Sequence, residues 1–229
     1  MRTIPLSTAT KMADLVSLDF SVLGVVNRMG LNFGFGEATV EEVCREAGIN
    51  PETFLLIAKV YAFEGYLPTS ETLQRANLHD IVKYLKMSHR YYTEVIVPEL
   101  ASALESMIIP CEPRQQKVIW TFFQDYKEEL SKHFAYEENT VLPYVEAVLS
   151  HQGGRQFTIG EYEENHSNVQ EKLDDLKSLI IKYMPHQCNQ QEAYKALFYL
   201  YTLEDDLRKH TIIEDQILVP VVGRMESHE

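Results

Sequence analysis

HFAYEENTVLP (residues 133–143) and HTIIEDQILVP (residues 210–220) are two copies of one pattern: a histidine, a glutamate four residues later, and a proline ten residues after the histidine. On an α-helix, residues four apart lie one above the other on the same face, about 6 Å apart along the axis. His133 with Glu137, and His210 with Glu214, therefore have the spacing of side chains that approach one metal centre from one helix.

Two further histidines extend the repeat. His89 stands 44 residues before His133, and His166 stands 44 before His210. The chain reads as two helical hairpins, each pairing a single-histidine helix with a His-x-x-x-Glu helix. Apolar residues recur at helical steps around each motif. The first stripe is Leu78, Ile81, Leu85, His89, Tyr92 and Ile96, opened by the capping signal Asn77-Leu78-His79-Asp80. The second runs from about Pro113 to Leu149 through Ile119, Phe122, Phe123, Tyr126, Leu130, His133, Glu137, Val141 and Tyr144. A third, near Gly160 to Met184, carries His166, Val169, Leu173, Leu176, Leu179 and Ile180. A fourth, about Gln190 to Arg224, carries Ala193, Leu197, Leu200, Leu203, Leu207, His210 and Glu214. Long amphipathic helices with short connections predict an all-α, up-down four-helix bundle. Pro143 and Pro220 fall inside the second and fourth helices, where a kink or an end is expected.

Leu67-Pro68-Thr69-Ser70 separates this region from what precedes it. We read residues 1–70 as a small helical N-terminal domain and 71–229 as the bundle. In the former, Ala13 to Met29 predicts one helix, followed by a turn rich in glycine at Gly30, Gly34 and Gly36. A capping box follows at Thr39 and Glu42, and Asn50-Pro51 opens another helix. That layout is compatible with a DNA-reading helix-turn-helix, but the leading end Pro51-Glu52-Thr53-Phe54 lacks the basic and amide side chains that read bases. The formal net charge of -13 also argues against nucleic acid and anionic membranes as partners.

No apolar stretch reaches the length of a membrane span, and the first residues lack the apolar core of a secretory signal. Cys44, Cys111 and Cys188 are far apart in sequence with no Cys-x-x-Cys among them, so unpaired thiols in a reducing cytoplasm are expected.

Burying ionised carboxylates and imidazoles in a bundle interior is costly unless they pair or bind a cation. Four histidines and two glutamates give nitrogen and oxygen donors suited to non-haem iron, with manganese and zinc as competitors. Shared between two metals, the six residues give each metal two imidazoles, with both carboxylates able to bridge. One solvent-derived bridge brings the count to five donors and leaves a position open for a reactive ligand. Pairing along the chain halves puts His89 with His133 and His166 with His210, although the opposite partition satisfies the same count. Glu129, Glu163, Tyr92, Tyr126, Tyr136 and Tyr162 are candidates to orient the ligands. His79, His151, His186 and His228 read as surface residues.

These residues resemble the hemerythrin-like di-iron proteins, and among them the repair of iron centres family. His89 followed by Pro98-Glu99-Leu100, His133-x-x-x-Glu137, His166 and His210-x-x-x-Glu214 match its four helices. Four histidines with two glutamates are closer to the repair proteins than to oxygen-carrying hemerythrins, which use a fifth histidine and an aspartate. The resemblance implies two non-haem iron ions, oxo- or hydroxo-bridged, and a role in restoring iron-sulfur clusters damaged by nitric oxide or oxidative stress. Damaged iron-sulfur proteins would be its partners, and nitric oxide or oxygen its small ligands. A gas-binding or sensing module is the alternative, and a reductase of nitric oxide or peroxide a third class. The first 65 or so residues resemble the family's N-terminal domain through Leu23 to Gly36 and Thr39-Val-Glu-Glu-Val-Cys-Arg-Glu-Ala-Gly. Where family members often carry Cys-Cys-Gly-Gly, this chain has Phe33-Gly34-Phe35-Gly36, so the thiol chemistry of that turn is absent.

Overall fold

The computed structural model describes residues 6–150, 158–165 and 171–227. The fold is all-α, a helical bundle, and no strand occurs among the described residues. The chain divides into two units: Met1–Ser88 with Tyr144–Glu163 and Lys209–Glu229, and His89–Pro143 with Glu164–Arg208.

In the first unit, α1 (Met12–Leu18) and α2 (Val22–Arg28) replace the single helix expected from Ala13 to Met29. Asp19 breaks it: its backbone is extended, and its carboxylate accepts the Ser21 amide at 2.8 Å, a local bond that competes with the helical ladder. The glycine turn follows, with Gly34 at φ 100°, a conformation that side-chain-bearing residues rarely adopt. Next come α3 (Val40–Glu46), opened by the expected Thr39/Glu42 capping box, and α4 (Pro51–Ala62), capped by Asn50. A short α5 (Ser70–Gln74) leads to α6 (Leu78–Tyr91). Arg28 is buried and donates to the hydroxyls of Tyr61 at 2.8 Å and Tyr84 at 3.1 Å, while Lys209 lies 5.1 Å over the Tyr61 ring. One polar cluster thus ties α2 to α4, to α6 and to the helix carrying His210.

The second unit contains α7 (Val97–Ile108), α8 (Pro113–Tyr136), the whole of α11 (Glu171–Tyr183), which follows the short α10 (Ile159–Asn165), and most of α12 (Gln190–Ile213). Contacts between these helices set their directions. Tyr92 meets Asp206, Glu99 meets Tyr199, and the Met107 carbonyl accepts from Asn189, so the first and fourth helices run antiparallel. Glu129 pairs with Lys172, and the start of α8 faces the end of α11 across a groove of about 320 Å³ lined by Val118, Ile119, Leu179 and Tyr183. The second and third helices are therefore antiparallel too, in the expected up-down order. The core contains Tyr92, Leu100, Phe123, Tyr126, Leu130, Leu173, Leu176, Leu203 and Leu207. Phe122, placed on the inner stripe by periodicity, is exposed instead.

Two expectations are corrected here. Cys111 and Cys188 form a disulfide, with Cα atoms 5.1 Å apart, and only Cys44 is free. The two cysteines are 77 residues apart, but one follows α7 and the other precedes α12, and both connections lie where Met107 meets Asn189. The argument from unpaired thiols to a reducing compartment therefore fails for this pair. The prolines, second, do not end the helices. A turn of π-helix precedes each: Tyr92–Ile96 before Pro98, Glu137–Val141 before Pro143, and Glu214–Leu218 before Pro220. The helices resume as α7, α9 (Leu142–Leu149) and α13 (Val219–Glu226). In each turn the residue before the proline donates to the carbonyl five residues back. Proline offers no N–H, and its ring clashes with the carbonyl four residues back. One extra residue in the turn lets the chain pass this point without breaking.

No helix among the described residues is long and apolar enough to cross a membrane.

Candidate metal centre

Each π turn begins six residues before its proline, at Tyr92, Glu137 and Glu214. The second and fourth helices thus start the wide turn on the carboxylate of the repeat, with its histidine one α-turn earlier. The first helix uses the same backbone device but carries Tyr92 there. Tyr92 is buried, its hydroxyl reaching the Asp206 carbonyl at 3.4 Å.

The side chains at these positions are buried: His89, Glu137, His210 and Glu214 are 1–2% exposed and His133 is 9%. His89 Nε2 lies 3.1 Å from Glu137 Oε2, and His133 Nε2 lies 3.2 Å from Glu137 Oε1. Glu137 therefore presents each of its oxygens to a different imidazole. His210 Nε2 lies 3.1 Å from Glu214 Oε1, repeating the His133–Glu137 contact in the second copy of the motif. In the second unit His89, His133 and Glu137 thus form one buried group, and in the first unit His210 and Glu214 form another. His166 lies outside the described residues, as do His151, His228 and the side chain of Glu163. His79 and His186 are exposed, as expected.

The residues proposed to orient the ligands divide. Glu129 is engaged by Lys172. Tyr136 is 39% exposed and Tyr162 is buried. Tyr126 is buried with its hydroxyl unpaired, and burial holds that phenol well above its usual pKa, with Glu129 adding to the effect. The contact that periodicity did not reveal is Glu138, whose Oε1 lies 3.2 Å from His89 Nδ1. Its only signal in sequence was a second acidic residue directly after Glu137, repeated as Asp215 after Glu214. Phe134 completes the surroundings of His89, its ring stacked on the imidazole at 4.3 Å.

Buried imidazole nitrogens facing carboxylate oxygens form a donor set suited to a divalent transition metal, and no thiol takes part among the described residues. Residues 80–222 match the family model described as the hemerythrin HHE cation-binding domain. The chain belongs to that family of metal-binding helical proteins. No curated protein matches it.

Proposed function

We propose that the protein holds two non-haem iron ions through His89, His133, Glu137, His166, His210 and Glu214, and that it donates iron to iron-sulfur clusters damaged by nitric oxide or oxidative stress. The observation that carries the metal reading is that both His-x-x-x-Glu pairs are buried with imidazole and carboxylate facing each other, at 3.2 Å for His133 and Glu137 and 3.1 Å for His210 and Glu214, while His89 brings a second imidazole to Glu137 at 3.1 Å. Bound iron would supply redox change and an open position for a small ligand. The chain supplies the rest. Glu137 and Glu214 bring negative charge into an interior where it is stable only when paired. The π turns hold both carboxylates on the inner face, and the surrounding apolar side chains keep bulk water away.

The repair role is supported by the resemblance of the ligand set and the N-terminal segment to the repair of iron centres family. In this chain it is independent of the glycine-turn cysteines, which are replaced by Phe33 and Gly34. The test begins with an absorption spectrum and iron quantification of the purified protein. The iron-loaded protein is then incubated with an iron-sulfur protein damaged by nitric oxide. Loss of iron from this chain together with recovery of the client's cluster supports donation. Full retention of iron with reversible binding of nitric oxide or oxygen overturns donation in favour of a sensor, and steady turnover with a reductant overturns it in favour of an enzyme.

A further inference from the structure

His89 presents both edges of its ring to carboxylates, and the metal reading uses only one of them. Nε2 faces Glu137 at 3.1 Å, and Nδ1 faces Glu138 at 3.2 Å. The ring is 2% exposed and packed against Phe134, whereas Glu138 is 47% exposed at its side chain and lies next to Glu137 in the chain. A neutral imidazole has one N–H. On Nε2, that hydrogen faces Glu137, no lone pair is left there for a cation, and the Nδ1 lone pair is turned against the Glu138 carboxylate. On Nδ1, it is donated to Glu138, and the Nε2 lone pair is free on the side of Glu137 and His133, where a cation would be held.

We propose that Glu138 is a positioning residue of the centre: by accepting the Nδ1–H of His89 it selects the tautomer whose Nε2 binds metal. The inference rests on the metal reading for its purpose, but the tautomer is a property of the metal-free protein. A ligand imidazole held by an outer carboxylate is fixed in orientation and made more basic, and removal of such a partner commonly weakens metal binding 10- to 100-fold.

The experiment compares the unmodified chain with Glu138→Ala and Glu138→Gln. Nitrogen-15 spectra of histidine-labelled, metal-free protein report the His89 tautomer, with the resonance assigned by its loss in His89→Ala. Ferrous and zinc ion affinities are measured by chelator competition. The expected result is Nδ1–H in the unmodified chain and Nε2–H in Glu138→Ala. Metal affinity should fall about 10- to 100-fold in the alanine variant and recover in part in Glu138→Gln, whose amide oxygen accepts the same bond. An unchanged tautomer in Glu138→Ala overturns the proposal. So does equal metal affinity in Glu138→Ala and the unmodified chain. If Glu138→Ala does not fold, the decision falls to Glu138→Gln: a tautomer intermediate between the two forms supports the proposal, and loss of Nδ1–H without any change in affinity overturns it. If the unmodified chain binds neither ion, the metal reading fails, and the spectra still decide what Glu138 does to His89.

Discussion

Glu137 is the residue whose surroundings say most about this protein. A carboxylate with 1% exposure and an imidazole at each oxygen is stable when positive charge is shared among the group, and this is what a divalent cation provides. Substituting one donor should therefore cost metal far more than substituting a surface histidine. His133→Ala and Glu214→Ala should each lower the metal content of the purified protein by at least half, while exposed His186→Ala leaves it unchanged. Elemental analysis of the three variants checks this, and equal metal in all would refute the ligand assignment. Cys44 gives a second residue-scale expectation. Burial, with a smaller contribution from Asp80, pushes its thiol from 9.0 up to about 12. Because the folded pKa is the higher one, the folded state keeps a proton that the unfolded state releases. The stabilisation from this group is complete below pH 9 and declines as pH rises from 9 towards 12. At pH 8 an alkylating reagent should leave Cys44 unmodified in the native protein and label it quickly in denaturant, which mass spectrometry resolves.

Among the elements, the three π turns form a repeated device. Each places the extra residue just before a proline, and buried side chains occur on both sides of it: Leu130 and Phe134 before the turn of the second helix, Leu142, Val145 and Val148 after it. Asn139 is an exposed residue of that turn, its amide donating to the Ala135 carbonyl at 2.6 Å. Deleting it should remove the extra residue, turn α9 by about 100° relative to α8, and bring Pro143 into an unfavourable α-helical register at a cost of ~3 kcal/mol or more. Asn139→Ala should change stability by no more than about 0.5 kcal/mol. Thermal melts of the two variants check the contrast, and similar midpoints would show that the turn does not hold the register. The prolines were visible in sequence, but their effect was not. An interior proline commonly kinks a helix, and the choice of a π turn depends on side chains beyond both ends having buried places to reach.

At the level of the whole molecule, the disulfide joins the two connections at one end of the second unit, closing a loop of 77 residues. By the chain-entropy argument such a link removes about 4 kcal/mol of freedom from the unfolded chain. Reduction, or Cys111→Ser with Cys188→Ser, should lower the urea midpoint clearly while leaving the far-ultraviolet helical signal at low denaturant intact. Unchanged midpoints with and without reductant would show that the link does not stabilise the fold. In the first unit, the buried cluster of Arg28, Tyr61 and Tyr84 joins the N-terminal helices to α6 through side chains up to 56 residues apart.

The sequence by itself determined the helices, their order and the types of donor in the site, because these depend on neighbours three and four residues apart: the stripe from Leu78 to Ile96, the caps at Thr39 and Asn50, and the two His-x-x-x-Glu pairs. Phe122 marks where that reasoning ends, since periodicity assigns a face but does not say how wide the buried arc is. Tertiary structure alone decided the rest: the partner of His89 at Glu138, 49 residues away; the Cys111–Cys188 bond; the break at Asp19; and the π turns. In the long-range cases the energy comes from contacts between chain segments that local spacing does not bring together, and in the turns and breaks it comes from choosing among backbone paths that local propensity leaves nearly equal.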